Sequence, residues 1–251
     1  LSSDATSTSA PTAGPTSSPS PAPTAAPTAA PTTVANTQLN LHLSAASTSP
    51  LVSLDSSSSS SWSAGGQPSI ESDGLFTYFN LDNTAFSYLE TSTPVPVGQF
   101  YSSAVWVKWR ADLGWRTLFR HSEDHEVVVQ TDGTLGMYST RNGAFRAAGS
   151  FGSADAEIDL GSWQLVVVTG AGDSAISSTG VSTFYIGNLT HSPVAVGTAD
   201  RVACGTETFR FGYQGQGPGF VAELYRWDKV LSLDEIQTLW GSSDATSTSA
   251  P

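Results

Sequence analysis

Cysteine is nearly missing from this 251-residue chain, with Cys204 standing alone. That excludes an internal disulfide framework and any zinc site built on several thiolates. Cys204 itself reads as a small semi-buried side chain, or as a free or intermolecular thiol. Basic residues are scarce as well: 10 Lys and Arg face 22 Asp and Glu, for a formal net charge of −12. A nucleic-acid binder needs a basic footprint and an anionic membrane repels an acidic surface, so neither partner is expected. No apolar run approaches the ~20 residues that cross a bilayer. The first residues, from Leu1, carry no signal-peptide pattern, which leads us to expect a processed or excised piece of a longer chain.

Charge is thin overall, 13% of residues against a usual ~25%, because two populations are averaged. Residues 1–33 hold one charge, Asp4, and are almost wholly Ser, Thr, Ala and Pro. Residues 34–241 hold all 7 Trp and 7 Tyr and read as a folded domain. With Asp4 and Asp244 set aside, 20 acidic side chains face 10 basic ones there.

The chain is framed by a repeat. Residues 2–11 read SSDATSTSAP, and residues 242–251 read the same. Repetitive Ser/Thr/Ala sequence can produce such a match by chance. The position of the two copies favours one period of a tandem array of linker and domain, with residues 242–251 opening the next linker. A finer repeat sets Pro11, Pro15, Pro19, Pro23, Pro27 and Pro31 at every fourth residue, each followed by a hydroxyl: Thr12, Thr16, Ser20, Thr24, Thr28 and Thr32. Proline holds φ near −65° and lacks an amide donor, which disfavours helix and central strand. Extended polyproline II is expected, at ~3.1 Å per residue, giving a semi-rigid spacer of roughly 70 Å. On a threefold helix a period of four turns each Pro-Thr pair by about 120°, so hydroxyls point in all directions. These positions are candidates for proline hydroxylation and O-glycosylation, although a plain linker has the same composition.

From residue 34 short β-runs alternate with turns. TQLNLHL (37–43) alternates Leu39, Leu41 and Leu43 with polar neighbours. SSAVWVKWR (102–110) places Val105, Val107 and Trp109 on one face and Trp106, Lys108 and Arg110 on the other. HEVVVQTDGTLGMYS (125–139) reads as two strands about Thr131-Asp132-Gly133, because Asp-Gly accepts positive φ. SWQLVVVTG (162–170), STFYIGN (182–188), ETFRFGY (207–213) and GFVAELYRW (219–227) follow, the last apolar on both faces and expected to be covered on both sides. One helix closes the domain. Ser232 with Glu235 makes a capping box, Leu233, Ile236, Leu239 and Trp240 recur at helical spacing, and Gly241 is the expected stop. Many short strands with regular turns predict an antiparallel sandwich.

The order AVWVK, VVVQTDGTLGMYS, LGSWQLVVVTG, STFYIGN and LYRWDKVLSLDEIQTL, preceded by LNLHLSA, SSWSAGG and LDNTAFSYLE, resembles the laminin G-like branch of concanavalin A-like jelly rolls over residues 37–240. The resemblance implies an all-β, two-sheet antiparallel jelly roll with one short C-terminal helix. It also implies questions of chemistry. Retaining glycosidases of this group align acids as E-x-D-x-x-E on one strand, with working carboxyls ~5–5.5 Å apart. The acidic cluster here, His121-Ser122-Glu123-Asp124-His125-Glu126, lacks that spacing and reads as a solvated turn before VVVQ. His121 and His125 are four apart, a spacing that unites ligands on a helix but not in a strand and turn. Many relatives hold calcium at a sheet rim through oxygen ligands. Asp132, Asp155, Asp159, Asp173 and Asp200, all in predicted loops, are the acids available, but they lack a fixed ligand spacing. No cofactor is therefore expected, and calcium is the one candidate.

Carbohydrate recognition would need exposed aromatics with polar partners. Tyr213, Gln214 and Gln216, in the loop YQGQGPG, are the candidates. Asn188-Leu189-Thr190 is an N-glycosylation sequon at a predicted strand end. The expected function is a structural repeat unit of an extracellular or cell-surface glycosylated fibre, its partners being neighbouring copies and covalent glycans. The spacer is longer than the ~40 Å expected for the bead, so it can reach the next one. The alternative is a lectin-like carbohydrate-binding module tethered to a secreted enzyme or adhesin. Catalysis is not expected.

Overall fold

The computed structural model describes residues 39–45, 61–81, 87–95, 99–110, 114–121, 124–139, 143–148, 159–172, 180–200 and 208–242. The Pro-Thr repeat, both copies of SSDATSTSAP and Cys204 lie outside the described residues.

The elements run β1 Leu39–Leu43, β2 Trp62–Gly65, β3 Ser69–Ser72, β4 Thr77–Leu81, β5 Tyr88–Thr91, β6 Phe100–Trp109, β7 Arg116–Arg120, β8 Asp124–Val129, β9 Leu135–Ser139, β10 Ala144–Ala147, β11 Trp163–Gly172, β12 Gly180–Asn188, β13 Val194–Asp200, β14 Arg210–Phe211, β15 Gly219–Trp227 and α1 Leu233–Gly241. Eight strands form one sheet, in the order β13-β12-β11-β6-β15-β4-β3 with β1 added beside β15. Seven form the other, β10-β9-β8-β7-β14-β5-β2. Neighbours are antiparallel and often distant in sequence, which makes this a two-sheet jelly-roll sandwich with one short C-terminal helix.

Alternation along β6 shows why the sheets stack as they do. Val105, Val107 and Trp109 face inward and pack with Leu118, Phe119, Val127, Val129 and Phe211 of the seven-stranded sheet and with Phe209 just before β14. Ala104 and Trp106 face the other way, into a second apolar cluster with Trp163, Leu165, Val167 and Trp227. Leu231, Ile236 and Leu239 complete that cluster, so α1 covers the outer face of the eight-stranded sheet. This is why β15 is apolar on both sides. β15 changes partners along its length, pairing β4 through Gly219–Val221 and β1 through Leu224–Trp227. A bulge at Glu223 separates the two halves, with φ of 47°, where a non-glycine residue is strained. The Glu223 carboxylate accepts bonds there from His42 Nε2 at 2.8 Å and from the Ser44 hydroxyl.

The capping box is present: Ser232 Oγ accepts from the Glu235 amide at 3.3 Å, and Glu235 Oε2 accepts from the Ser232 amide at 2.9 Å. The stop differs from expectation. Gly241 is the last helical residue, and Ser242 caps in the right-handed region, its amide bonding Thr238 and its hydroxyl Leu239. Those two bonds close the last turn without a left-handed glycine. The run 207–213 also yields only a two-residue strand, because Gly212 turns at φ 79° immediately after Phe211.

Within the acidic cluster, Glu126 departs most from the expected solvated turn. β8 begins at Asp124, and Glu126 is fully buried between the sheets. Its Oε2 accepts from Arg226 Nη1 at 2.7 Å, and Arg226 is equally buried. The same guanidinium group donates to Ser103 Oγ at 2.6 Å and lies over the rings of Tyr101 and Phe209 at 4.8 and 5.1 Å. A bulge between His125 and Val128 on β8 lets Glu126 as well as Val127 occupy the inner side. Only the countercharge on β15 makes an inward carboxylate tolerable.

Candidate functional site

With one outer face of the sandwich covered by α1, the outer face of the seven-stranded sheet remains to be read. Pairing parity decides which side chains it carries, since residues directly opposite across an antiparallel pair share a face. Arg120 of β7 stands opposite Arg210 of β14, Arg210 opposite Glu90 of β5, and Glu90 opposite Ser63 of β2. A polar row thus crosses four adjacent strands. Like charges directly opposite repel, and two arrangements offset this. Arg210 Nε donates to Glu90 Oε1 at 2.7 Å, and the Arg120 guanidinium lies 4.0 Å from the centre of the Tyr213 ring. Arg210 in turn lies 5.1 Å from the Tyr88 ring centre. Thr208 Oγ1 donates to the same Glu90 oxygen at 2.5 Å. Partial burial pushes the Glu90 carboxyl up, but the bonds from Arg210 and Thr208 and the charges of Arg210 and Arg120 outweigh it, holding it below the usual carboxylate range.

Beyond β8 the same face carries aromatics. Tyr138 of β9 stands opposite Phe145 of β10, and Trp115, just before β7, meets both edge-on at 5.7 and 5.5 Å. All three are half-buried. Gly136 makes room beneath them. A Cβ there would lie 2.2 Å from the Arg146 carbonyl oxygen and 2.7 Å from Phe145 Cζ. Gly136→Ala is accordingly expected to cost about 1–3 kcal/mol, read as a lowered urea midpoint, whereas Gly133→Ala meets no neighbouring atom and is burdened only by its φ of 90°.

The YQGQGPG loop is stitched onto this face. Thr117 donates its amide to the Gln216 carbonyl at 2.9 Å and its hydroxyl to Gln216 Oε1 at 2.8 Å. The Gln216 amide donates to the Tyr213 carbonyl at 2.8 Å, while Gln214 is exposed. Tyr213 and Gln216 therefore join Arg120 and Thr117 at the centre of the face. Sequence reasoning did not single out Trp115, Tyr138, Phe145, Arg120, Arg210 or Glu90. Outward parity in β7, β9 and β10 was readable, but which strands are neighbours was not.

Among the described residues, the acids considered for calcium do not converge. Asp132 lies in the β8–β9 turn, accepting from the Thr134 amide at 2.9 Å, and Asp159 precedes β11. Asp200 ends β13 rather than a loop and pairs with Arg146 at 3.0 Å, tying the edges of the two sheets together. Asp155 and Asp173 lie outside the described residues. Among the described residues no group of three or more His, Cys, Asp or Glu side chains is placed to hold a metal ion.

Residues 82–237 match the family model of the Concanavalin A-like lectin/glucanases superfamily. The chain belongs to that superfamily. Solved structures show the same fold at low identity. The binding domain of botulinum neurotoxin serotype C1 superposes with a TM-score of 0.58 at 15% identity, over 82% of this chain and 52% of that one. The binding domain of Paraclostridial Mosquitocidal Protein 1 gives 0.54 at 14%, with the same coverage. Domain 4 of AbnA, a GH43 extracellular arabinanase from Geobacillus stearothermophilus, solved in complex with arabinotriose, gives 0.58 at 15%, over 80% of this chain and 98% of that one. This superfamily member spans about half the length of the toxin binding domains it matches. No curated protein matches its sequence.

Proposed function

We propose that residues 34–241 form a non-catalytic carbohydrate-binding module whose ligand lies across the outer face of the seven-stranded sheet. The observation that carries this reading is the row Arg120–Arg210–Glu90 with Tyr213 and Tyr88 beside it and the Trp115, Tyr138 and Phe145 group at one end. Sugar rings present C–H faces that stack on aromatics and hydroxyls that pair with planar charged groups, and this face offers both. Glu90 is engaged by Arg210 and held as an acceptor, which suits hydroxyl recognition better than proton transfer. The likeness to an arabinanase domain solved with an oligosaccharide supports the reading at the level of fold.

Binding of the whole chain to an array of neutral and acidic oligosaccharides, arabino-oligosaccharides included, is the test. Trp115→Ala and Arg210→Met should each weaken the retained ligand about tenfold or more, the scale of a lost aromatic or arginine anchor. Val194→Ala, on the exposed edge strand β13, should bind as the parent does. An array without a retained sugar, or equal affinity in all variants, removes the proposal.

The fibre reading keeps one specific observation, the decapeptide SSDATSTSAP at residues 2–11 and 242–251. On that reading the chain is a glycosylated extracellular bead in a tandem array. Near-copies at a period of 240 in the parent gene, and beaded filaments in micrographs of native material, would favour it. A neighbouring catalytic domain would favour the tethered module.

A further inference from the structure

The sequon Asn188-Leu189-Thr190 sits where β12 ends, on the sheet opposite to the proposed ligand face, and its local geometry is specific. Asn188 Oδ1 accepts from the Thr190 amide at 2.9 Å, the Thr190 hydroxyl at 3.0 Å and the His191 amide at 2.8 Å. Two backbone donors on one atom identify it as the carboxamide oxygen rather than the nitrogen. The side chain is thus held in an Asx turn with its oxygen toward the chain and its NH₂ group on the other side of the amide plane. That nitrogen has no partner among the described residues. The backbone is pinned from both directions: the Asn188 amide donates to the His191 carbonyl at 2.9 Å, and Trp240 Nε1 of α1 donates to the Asn188 carbonyl at 2.7 Å.

Asn188 also stands on the rim of a cleft of about 370 Å³, within the size range of small-molecule sites. Its lining includes Asp73, Leu75, Lys108, Asp159, Trp163 and Leu189. Asp73 is fixed by Trp163 Nε1 at 2.8 Å and by the Leu75 and Phe76 amides, each at 3.1 Å, with Lys108 Nζ 3.6 Å away. Leu75 is 46% exposed beside these charges. A mixed rim, apolar at Leu75 and Leu189 and carrying the Asp73 and Asp159 carboxyls and the Lys108 ammonium group, matches an N-acetylated sugar, which has an apolar methyl and ring face and several hydroxyls.

We propose that Asn188 is N-glycosylated and that the first sugar of the glycan lies in this cleft. In the modification, Asn188 Nδ2 forms a bond to C1 of an oligosaccharide carried on a lipid diphosphate. The C1–O bond to phosphate breaks, the diphosphate leaves with the electron pair, and the amide nitrogen gives up one proton. The glycan covers Leu75 and shields Lys108 without touching the outer face of the seven-stranded sheet, so loss of either site leaves the other intact.

The test uses the full chain secreted from a glycosylating eukaryotic host. Peptide N-glycosidase treatment should convert Asn188 to Asp in the peptide mass spectrum, and Asn188→Gln and Thr190→Ala should each abolish the glycan. Acetylation of Lys108 by an amine-reactive acetyl ester should rise several-fold after enzymatic deglycosylation. An unmodified Asn188 peptide overturns the proposal. A glycan whose removal leaves Lys108 reactivity unchanged overturns its placement in the cleft. Oligosaccharide binding measured on the same deglycosylated material should be unaltered, which separates this proposal from the module reading.

Discussion

Replacing Glu126 by Leu, or Arg226 by Met, should each cost about 3–5 kcal/mol, because either change strands a buried charge. Both side chains are fully buried, and the partner that remains has no route to solvent. The double variant Glu126→Leu with Arg226→Met should return to within about 1–2 kcal/mol of the parent, or exceed it, since neither desolvation cost remains. The pair is incompletely satisfied as it stands. Glu126 Oε1 and Arg226 Nε and Nη2 have no hydrogen-bond partner among the described residues, and the guanidinium lies against Tyr101 and Phe209. A urea-unfolding cycle over the four proteins would measure the coupling. Two single variants with stabilities near the parent would show that the pair is not buried as described.

Stability should fall by about 3 kcal/mol between pH 6.5 and pH 4. The cause is His121, buried at the end of β7, whose pKa is lowered from 6.5 to about 4. Burial is the largest influence; Glu126 pulls the value back up and Arg226 pushes it down. The unfolded chain takes a proton near pH 6.5 while the native ring resists until about 4, so in that interval the unfolded state binds more protons. The contribution is therefore complete above pH 6.5 and declines as pH falls to 4. His121→Phe should flatten this interval in a series of denaturant titrations. A parent protein equally stable at pH 7 and pH 4.5 would sink the assignment. Loss at still lower pH is expected to persist in the variant, because Glu90, Asp73 and Glu235 also hold their carboxyls below the usual range and must be protonated.

The two predictions concern the same cluster, and that cluster was the least legible part of the chain. Glu123, Asp124 and Glu126 read as a solvated turn because three acids in four residues are usually wet. What brings Glu126 inside is a bulge on β8 and a cation a hundred residues away on β15. The candidate ligand face was partly legible. Tyr213 and Gln216 were visible as a polar aromatic loop, and the structure places them beside Arg120 and Thr117. Arg210 and Glu90 were not, because they meet only when β14 inserts between β5 and β7.

What the sequence determined by itself is local. The period-two split of Val105, Val107 and Trp109 from Trp106, the Asp132-Gly133 turn, and the Ser232–Glu235 capping box all appear where the residues placed them. Each depends on neighbours within a few positions, so side-chain chemistry and backbone preference suffice. Tertiary structure decided which strands became neighbours, and with them the burial of Glu126, the polar row across four strands and the cleft beside Asn188. Those features rest on pairings between distant segments, and alternation along one strand holds no record of the strand that will lie beside it.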